Sequence, residues 1–234
     1  MEILVYKVGG ALLDNQDGFD CLYDIVKQSK DENPNAKIVI VISAFAKVTA
    51  QLADAGTTAE TNGPEKGYAI IDDVINFHKK LLNEINKNSD SKLNKINDYI
   101  DETKTQLLNI IKGVGLTREL TPQTKDTIMA FGEKIASTIV ANALEQQFGN
   151  IELFDITTAL RTNNHFGEAV PDIDATDENL KKLLLPLLEN NDIIVTQGFI
   201  AATNNNNITT MGYESSNNTA AIIAGLLKAN KLVF

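Results

Sequence analysis

The chain has 234 residues, 43% apolar and 22% charged, a composition typical of a folded globular protein with one large domain or two small ones. Its net charge of −10 argues against nucleic acid as a partner, because phosphate contacts need clustered Lys and Arg. The single cysteine, Cys21, excludes an internal disulfide and favours the cytoplasm. No apolar run approaches the ~18 residues of a membrane helix, so we expect no membrane partner.

The N-terminal half alternates short apolar runs with longer helical segments. Ile3–Val8 predicts a strand, and a helix is predicted over Gly18–Lys30. Ile38–Ile42 has no polar interruption, which predicts a central strand buried on both faces. Apolar residues then recur at helical spacing around 65–112, with a break at Asn88–Asp90, which predicts an inserted hairpin of two long helices.

The next segments continue this alternation. Thr121-Pro122 is typical of a helix start, and a further helix is predicted over Gly132–Phe148. Strands are predicted at Ile151–Asp155 and Ile193–Gln197, with a helix over Asp177–Glu189 between them. Strands that alternate with helices predict an α/β fold with a mainly parallel sheet.

The last part of the chain contains a predicted hairpin and a predicted helix. Asn204–Asn207 is a polar turn between two strand-like stretches, and the helix covers about Ser216–Lys228. The apolar residues of Lys231–Phe234 predict a core strand at the very end of the chain. Because domain boundaries usually fall in polar linkers, we expect further protein to follow it.

Lys7, Gly9 and Gly10 stand at the end of the first predicted strand. Glycines at such a position let the backbone approach a ligand, and a lysine offers positive charge to phosphate oxygens. A tight turn beside a solvated lysine explains the same residues, and this second interpretation is favoured when the motif is considered alone.

Other polar residues have both a binding and a structural interpretation. Ser43 and Thr49 follow the second predicted strand, where α/β proteins form ligand crevices, but either residue is also suited to capping a helix. Glu133 lies near a predicted helix start, where it can accept a hydrogen bond from an ammonium group or complement the helix dipole. Arg161 lies in a polar loop and suits carboxylate recognition or a surface salt bridge. His78 and His165 are too few for a metal site, and we expect surface or loop positions for both.

Thr209, Thr210 and Gly212 precede the last predicted helix by a few residues. Helix N-termini attract anions, so these hydroxyl and amide groups are candidates for phosphate binding.

The order of these segments is more specific than any one of them. Between Lys7 and Gly212 the chain contains Lys-x-Gly-Gly, Ser-Ala-x-Ala-x-x-Thr, Gly-Glu, Arg-Thr-Asn-x-x-Phe-Gly-x-Ala-x-Pro-Asp, Gly-Phe-Ile and Thr-Thr-x-Gly in succession. This series resembles the aspartokinase branch of the amino acid kinase family and covers nearly the whole chain.

The resemblance implies a three-layer α/β/α sandwich with a mainly parallel sheet, in which residues 1–234 form a catalytic domain without its C-terminal part. It implies transfer of the γ-phosphoryl group of ATP to the β-carboxylate of L-aspartate, with Mg²⁺ bridging the ATP phosphates. It assigns no metal ligand to the protein, and it implies a cytoplasmic homo-oligomer that acts in amino-acid biosynthesis.

The resemblance also implies roles for individual residues. Lys7 would be catalytic and would stabilise the transferring phosphoryl group, while Glu133 would receive the substrate ammonium. The residues assigned to the nucleotide and its phosphates are Lys7, Gly9, Gly10, Thr209, Thr210 and Gly212. The residues assigned to the substrate are Ser43, Thr49, Glu133 and Arg161.

One segment departs from the family pattern Gly-Arg-Gly/Glu-Gly-Ser-Asp. Tyr213 replaces the arginine expected to hold the substrate α-carboxylate, Asn217 replaces an aspartate, and Ser215 replaces a glycine. A serine can block a positive φ or narrow the approach to phosphate. Losing one charge-assisted contact costs roughly 1.5–3 kcal/mol. Two functions therefore stay open: a working kinase with a rearranged pocket, and a non-catalytic relative with a binding or regulatory role.

Overall fold

The structure is a computed structural model that describes residues 1–86, 91–212 and 214–234. The predicted helix break at Asn88–Asp90 and the substituted position Tyr213 lie outside the described residues.

Most of the helices and strands that the apolar pattern predicts are present, together with a helix over Val48–Asn62 that the pattern did not predict. The helices are α1 (Gln16–Glu32), α2 (Val48–Asn62), α3 (Pro64–Ile85), α4 (Ser91–Thr117), α5 (Pro122–Phe148), α6 (Ile173–Asn179), α7 (Leu185–Asn190) and α8 (Ser215–Leu226). The strands are β1 (Ile3–Val8), β2 (Lys37–Ile42), β3 (Ile151–Phe154), β4 (Arg161–Thr162), β5 (Pro171–Asp172), β6 (Ile193–Gln197), β7 (Ile200–Thr203), β8 (Ile208–Thr210) and β9 (Lys231–Val233). A 3-10 turn covers Ile156–Thr158, and a π-helical turn, Leu180–Leu184, joins α6 to α7.

The main sheet is parallel, with strand order β3-β6-β2-β1-β9. The predicted central strand is confirmed, since β2 lies between β1 and β6 and its residues 38–42 are fully buried. Side chains alternate along this strand, so Ile40 and Val41 enter different hydrophobic clusters on opposite faces of the sheet.

Helices cover both faces of the main sheet. The cluster on one face includes apolar residues of α1, α2, α3, α4 and α5, and the cluster on the other face includes residues of α7, α8 and the π-helical turn. This arrangement confirms the predicted three-layer α/β/α fold.

A smaller mixed sheet with strand order β5-β4-β7-β8 stands beside the main one. Its strands β7 and β8 form an antiparallel hairpin in which Ile200 pairs with Thr210. The predicted turn at Asn204–Asn207 connects them and is confirmed.

The sequence prediction was wrong about the helix that carries Glu133. The hydroxyl of Thr121 accepts a hydrogen bond from the Thr124 N–H at 3.1 Å and caps one continuous helix, α5, that runs to Phe148. Glu133 therefore lies in the helix interior, where it does not complement the positive end of the helix dipole. Gly132 does not break the helix. It serves packing instead, since an added Cβ there would stand 3.0 Å from the Val48 side chain. The glycine lets α5 approach the start of α2.

Two further expectations are corrected. The final strand β9 pairs with β1 at the edge of the main sheet, where Leu232 and Val233 are only half-buried, so it is not a core strand in this chain. His78 is not at the surface: it is fully buried in α3, with its ring 5.6 Å from that of Phe45 and 5.4 Å from that of Phe77. No helix of the described residues is long and apolar enough to cross a membrane.

Candidate active site

Because β1, β2 and β6 are parallel, their carboxyl ends meet at the same edge of the main sheet. A cavity of about 270 Å³ opens at this edge, and we call it the small cavity. It is lined by Lys7, Ser43, Ala44, Thr49, Glu133, Phe199, Glu214, Ser215, Ser216 and Asn217. The fold thus brings together four of the predicted site residues that the sequence scatters over more than half of the chain.

Glu133 supplies a buried carboxylate to the small cavity. Its Oε1 atom accepts hydrogen bonds from the Ala44 N–H at 3.4 Å and from the Thr49 hydroxyl at 3.3 Å. Its Oε2 atom has no hydrogen-bond partner among the described residues. Burial raises the pKa of Glu133 to about 8, although its hydrogen bonds oppose the rise. A cationic ligand would favour the ionised carboxylate and satisfy Oε2.

Lys7 supplies the positive charge of the same cavity. It lies near the end of β1, is half-buried, and forms no ion pair with any described residue. Its Nζ atom lies 3.6 Å from the position that a Cβ on Gly9 would take, so the glycine leaves space beside the ammonium group. Gly10 has a different role: a Cβ there would stand 1.7 Å from the Ala44 carbonyl oxygen, so the glycine is needed for loop packing.

The N-terminus of α8 forms another wall of the small cavity. It approaches β6 closely because Gly198 has no side chain; a Cβ there would stand 2.6 Å from that of Ser216. The sequence suggested that Ser215 could block a positive φ, but the backbone of Ser215 does not have one. The left-handed residue is Glu214, with a φ of 59°. The hydroxyl of Ser215 is buried and has no partner within the described ranges.

A larger cavity of about 740 Å³ adjoins the small cavity and shares Ala44, Thr49 and Phe199 with it. Most of its lining is apolar, and its ionisable residues are Lys47, Lys125 and Asp126. Two bulky residues at these cavities, Lys47 and Phe199, have φ values of 69° and 67°. Such left-handed conformations cost roughly 1–3 kcal/mol each and cluster at functional sites.

The remaining predicted residues lie in different places. Thr210 and Gly212 line the larger cavity. Thr209 is fully buried, and its hydroxyl is 2.8 Å from that of Thr162. Arg161 lines neither cavity, and its guanidinium donates to the Thr203 carbonyl at 3.0 Å and to other acceptors of the hairpin turn and the 3-10 turn. The structure therefore does not bring Arg161 or Thr209 to the site.

Asp126 was not predicted as a site residue. It joins α5 to the 163–170 loop and to the β7-β8 hairpin beside the larger cavity. Its carboxylate accepts hydrogen bonds from the Gly167 N–H at 2.8 Å, the Thr210 N–H at 2.9 Å and the Thr210 hydroxyl at 2.8 Å. Burial raises the pKa of Asp126, and these hydrogen bonds oppose the rise. The sequence shows only that Asp126 lies in the first turns of a predicted helix. Many surface carboxylates lie at such positions, so this signal does not identify a site residue.

Comparisons with known proteins place this geometry in a family. The model of the amino acid kinase family matches residues 2–234. The chain belongs to the amino acid kinase family. The predicted resemblance to its aspartokinase branch is confirmed by the relatives that follow.

Two of the curated relatives of this chain are aspartokinases. Lysine-sensitive aspartokinase 3 of Escherichia coli (strain K12) is 29% identical over 230 residues, which are 98% of this chain and 48% of the relative. Aspartokinase 1, chloroplastic, of Arabidopsis thaliana is 28% identical over 173 residues, 70% of this chain and 28% of the relative. The chain thus spans less than half the length of either relative.

Solved structures agree with the sequence relatives. E. coli aspartokinase III in complex with aspartate and ADP superposes with a TM-score of 0.87 at 28% identity, covering 100% of this chain and 49% of the other. The same enzyme in complex with lysine and aspartate gives the same values. Aspartate kinase of Clostridium acetobutylicum, at 20% identity, 99% coverage of this chain, 47% of the other and a TM-score of 0.73, shares the fold.

Proposed function

We propose that this amino acid kinase transfers the γ-phosphoryl group of ATP to the β-carboxylate of L-aspartate and forms an acyl phosphate. The observation that carries the proposal is the presence in one small cavity of Lys7, which forms no ion pair with a described residue, and of the buried carboxylate of Glu133. This cavity lies at the carboxyl edge of the sheet. Its volume of about 270 Å³ is suited to a small amino acid rather than to a larger metabolite.

In this proposal the two ends of the substrate meet different walls of the small cavity. The ammonium group binds Glu133, whose Oε1 atom is held by Thr49 and by the backbone of Ala44. Ser43 and Thr49 both line this cavity, and in the proposal both orient the substrate. Lys7 neutralises charge on the transferring phosphoryl group, which is the main catalytic need of a reaction with little covalent chemistry for the protein.

The nucleotide would bring its phosphates to Lys7 from the side of Gly9, where the backbone is open. Gly10 would complete that turn, and Thr210 and Gly212, which line the larger cavity, would approach the phosphates from the hairpin. Thr209 stays a predicted phosphate ligand, and that role requires its hydroxyl to leave that of Thr162. The described residues contain no cluster of three His, Cys, Asp or Glu side chains able to hold a metal ion. In this proposal Mg²⁺ would be bound mainly through the ATP phosphates, where it would supply charge neutralisation.

Several finer features belong to the same proposal. Arg161 stays a predicted ligand of the substrate carboxylate, and that role requires its guanidinium to leave the acceptors of the hairpin turn. We also propose a cytoplasmic homo-oligomer whose product enters lysine and threonine biosynthesis.

A second candidate function is a non-catalytic relative that binds ligands or regulates a partner. The observation that favours it is Asn217, which lines the small cavity where the aspartokinase pattern has an aspartate. An amide cannot supply the negative charge of a carboxylate, and Tyr213 cannot replace an arginine as a two-pronged donor.

A hydroxamate assay for acyl phosphate, with L-aspartate and Mg·ATP, separates the two functions. We would assay this chain and any longer natural form that contains it, together with calorimetric titrations of each ligand. Lys7→Ala should lower turnover by about 100-fold or more, whereas Lys112→Ala, an exposed lysine of α4, should leave it unchanged. Binding of both ligands without any acyl phosphate would favour the non-catalytic relative. A folded protein that binds neither ligand would contradict the kinase proposal.

A further inference from the structure

Two buried polar atoms of the small cavity lack hydrogen-bond partners within the described part of the chain. They are Oε2 of Glu133 and Oγ of Ser215, whose residues are 2% and 0% exposed. Unpaired buried polar atoms are rare, because each has lost its hydrogen bonds to water without gaining a partner in the protein. Glu133 and Ser215 both line the small cavity, so one ligand bound there could form hydrogen bonds with both atoms.

The backbone N–H and carbonyl groups of Ser215 both form hydrogen bonds, so only its hydroxyl lacks a partner among the described residues. Its N–H donates to the Gly212 carbonyl at 3.3 Å, and its carbonyl accepts from the Thr219 hydroxyl at 3.2 Å. The N-cap of α8 is Glu214, whose side chain forms no capping hydrogen bond. The Ser215 hydroxyl therefore forms no capping hydrogen bond with the described residues at the start of α8, and capping does not explain its burial.

We propose that Ser215 is a substrate-binding residue which, together with Glu133, receives the ammonium group of a small amino acid. This inference rests on the proposed function and adds a residue to it. A primary ammonium group has three N–H donors, so one such group can satisfy Oε2 of Glu133 and Oγ of Ser215 at once.

The substitutions in this segment support the assignment. The aspartokinase pattern has a glycine at the position of Ser215 and an aspartate at that of Asn217. Relative to that pattern, the small cavity has one carboxylate fewer and one hydroxyl more. A hydroxyl is an uncharged acceptor, so it restores a hydrogen bond without restoring the negative charge.

The assignment predicts that the small cavity distinguishes ligands by their ammonium group. L-Aspartate carries this group, and succinate is the same dicarboxylate without it. Loss of the Ser215 hydroxyl should therefore weaken the binding of L-aspartate and leave that of succinate unchanged. A serine that only shapes the cavity would affect both ligands alike.

Calorimetric titration with L-aspartate and with succinate tests this on the wild-type protein and on Ser215→Ala. A hydrogen bond to a charged group corresponds to about tenfold or more in affinity, so Ser215→Ala should weaken L-aspartate binding by at least about tenfold. Its succinate affinity should stay within about twofold of wild type. Asn218→Ala is the matched control, because Asn218 is an exposed residue of the same helix, and it should change neither affinity.

The melting temperature of Ser215→Ala without ligand gives an independent reading. Removing an unpaired buried hydroxyl removes its cost, so the variant should melt at the same temperature as wild type or higher. A lower melting temperature would mean that the hydroxyl has a structural partner and would overturn the assignment. Equal weakening of both ligands, or no weakening of L-aspartate, would overturn it too.

The outcomes also separate this inference from the proposed function. If wild type and Ser215→Ala bind L-aspartate equally well, the proposed function stands and only the role of Ser215 is refuted. Wild-type protein that binds no L-aspartate refutes both.

Discussion

Asp126 and Thr210 lie 84 residues apart in the sequence and share two hydrogen bonds. The Thr210 N–H donates to Oδ2 of Asp126 at 2.9 Å, and the Thr210 hydroxyl donates to Oδ1 at 2.8 Å. The same carboxylate binds the Gly167 N–H, so one side chain of α5 holds the 163–170 loop and strand β8 beside the larger cavity. Asp126 thereby couples the stability of the fold to the shape of the site.

We expect Asp126→Ala to lower the free energy of unfolding by about 3 kcal/mol or more, because it leaves buried N–H donors of Gly167 and Thr210 without an acceptor. Urea denaturation followed by circular dichroism measures this loss. Asp98→Ala, which removes an exposed carboxylate of α4, should change the stability by less than about 0.5 kcal/mol. Similar stabilities for the two variants would contradict the anchoring role of Asp126.

Binding of L-aspartate should release a proton from Glu133 at neutral pH. The free carboxyl has a pKa of about 8, above its ordinary value, so it is mostly protonated at pH 7. A bound ammonium group favours the ionised form, and the proton leaves as the ligand enters.

Calorimetry at pH 7 in buffers of different ionisation enthalpy counts that proton. We expect a release close to one proton per ligand at pH 7 and little release at pH 9, where free Glu133 is already ionised. In Glu133→Gln the release should disappear and the affinity should fall. Binding heats that do not depend on the buffer would show that Glu133 does not bind the ammonium group.

His78 should make the protein less stable in mild acid. Its Nδ1–H donates to the Val74 carbonyl at 2.7 Å, and burial lowers the pKa of the ring to about 4. In the unfolded chain the ring has its ordinary pKa of about 6.5 and takes up a proton first as the pH falls. The destabilisation is therefore absent above pH 6.5 and grows as the pH drops towards 4, to about 3 kcal/mol for this group.

Replacing His78 by Phe removes the titrating group and keeps a ring in the aromatic cluster with Phe45 and Phe77. We expect the difference in unfolding free energy between His78→Phe and wild type to shift in favour of the variant between pH 6.5 and 4. Urea titrations at several pH values measure this shift. A difference that is constant over this range would mean that His78 does not remain neutral in the fold.

Restoring the family residues at two positions tests whether the altered segment limits activity. We expect Tyr213→Arg to raise the affinity for L-aspartate by about ten- to a hundredfold, since an arginine adds a charge-assisted contact to the α-carboxylate. Asn217→Asp should raise acyl phosphate formation in the hydroxamate assay. If the double variant is no more active than wild type, the substitutions do not explain any loss of activity.

Much of the fold could be predicted from local patterns. The uninterrupted apolar run of Ile38–Ile42 identifies a central strand, and Thr121-Pro122 identifies a helix start, because burial on both faces and helix capping each leave a local signature. The predicted start near Gly132 was wrong, because a glycine that serves tertiary packing looks in the sequence like one that breaks a helix.

The candidate site was predictable to a lesser degree. Lys7, Ser43, Thr49 and Glu133 were chosen from the order of short motifs, and they share the small cavity. Arg161 was chosen for its charge, and the structure directs that charge to backbone carbonyls of a turn. Asp126 carries no local signal, since its importance comes from neighbours that are distant in the sequence. Ser215 stands out in the sequence only as a departure from the family pattern, and its unpaired hydroxyl is visible only in the structure.

The family, the order of most helices and strands, and the departure from the family pattern at Tyr213, Ser215 and Asn217 can all be read from the sequence. These are properties of residue type and order along the chain. The burial of Glu133, with one oxygen unpaired among the described residues, and the position of Ser215 in the same cavity follow from the folding of the chain. Burial and hydrogen-bond partners depend on which segments meet in space, and this is set by the packing of α5 and α8 against the edge of the main sheet.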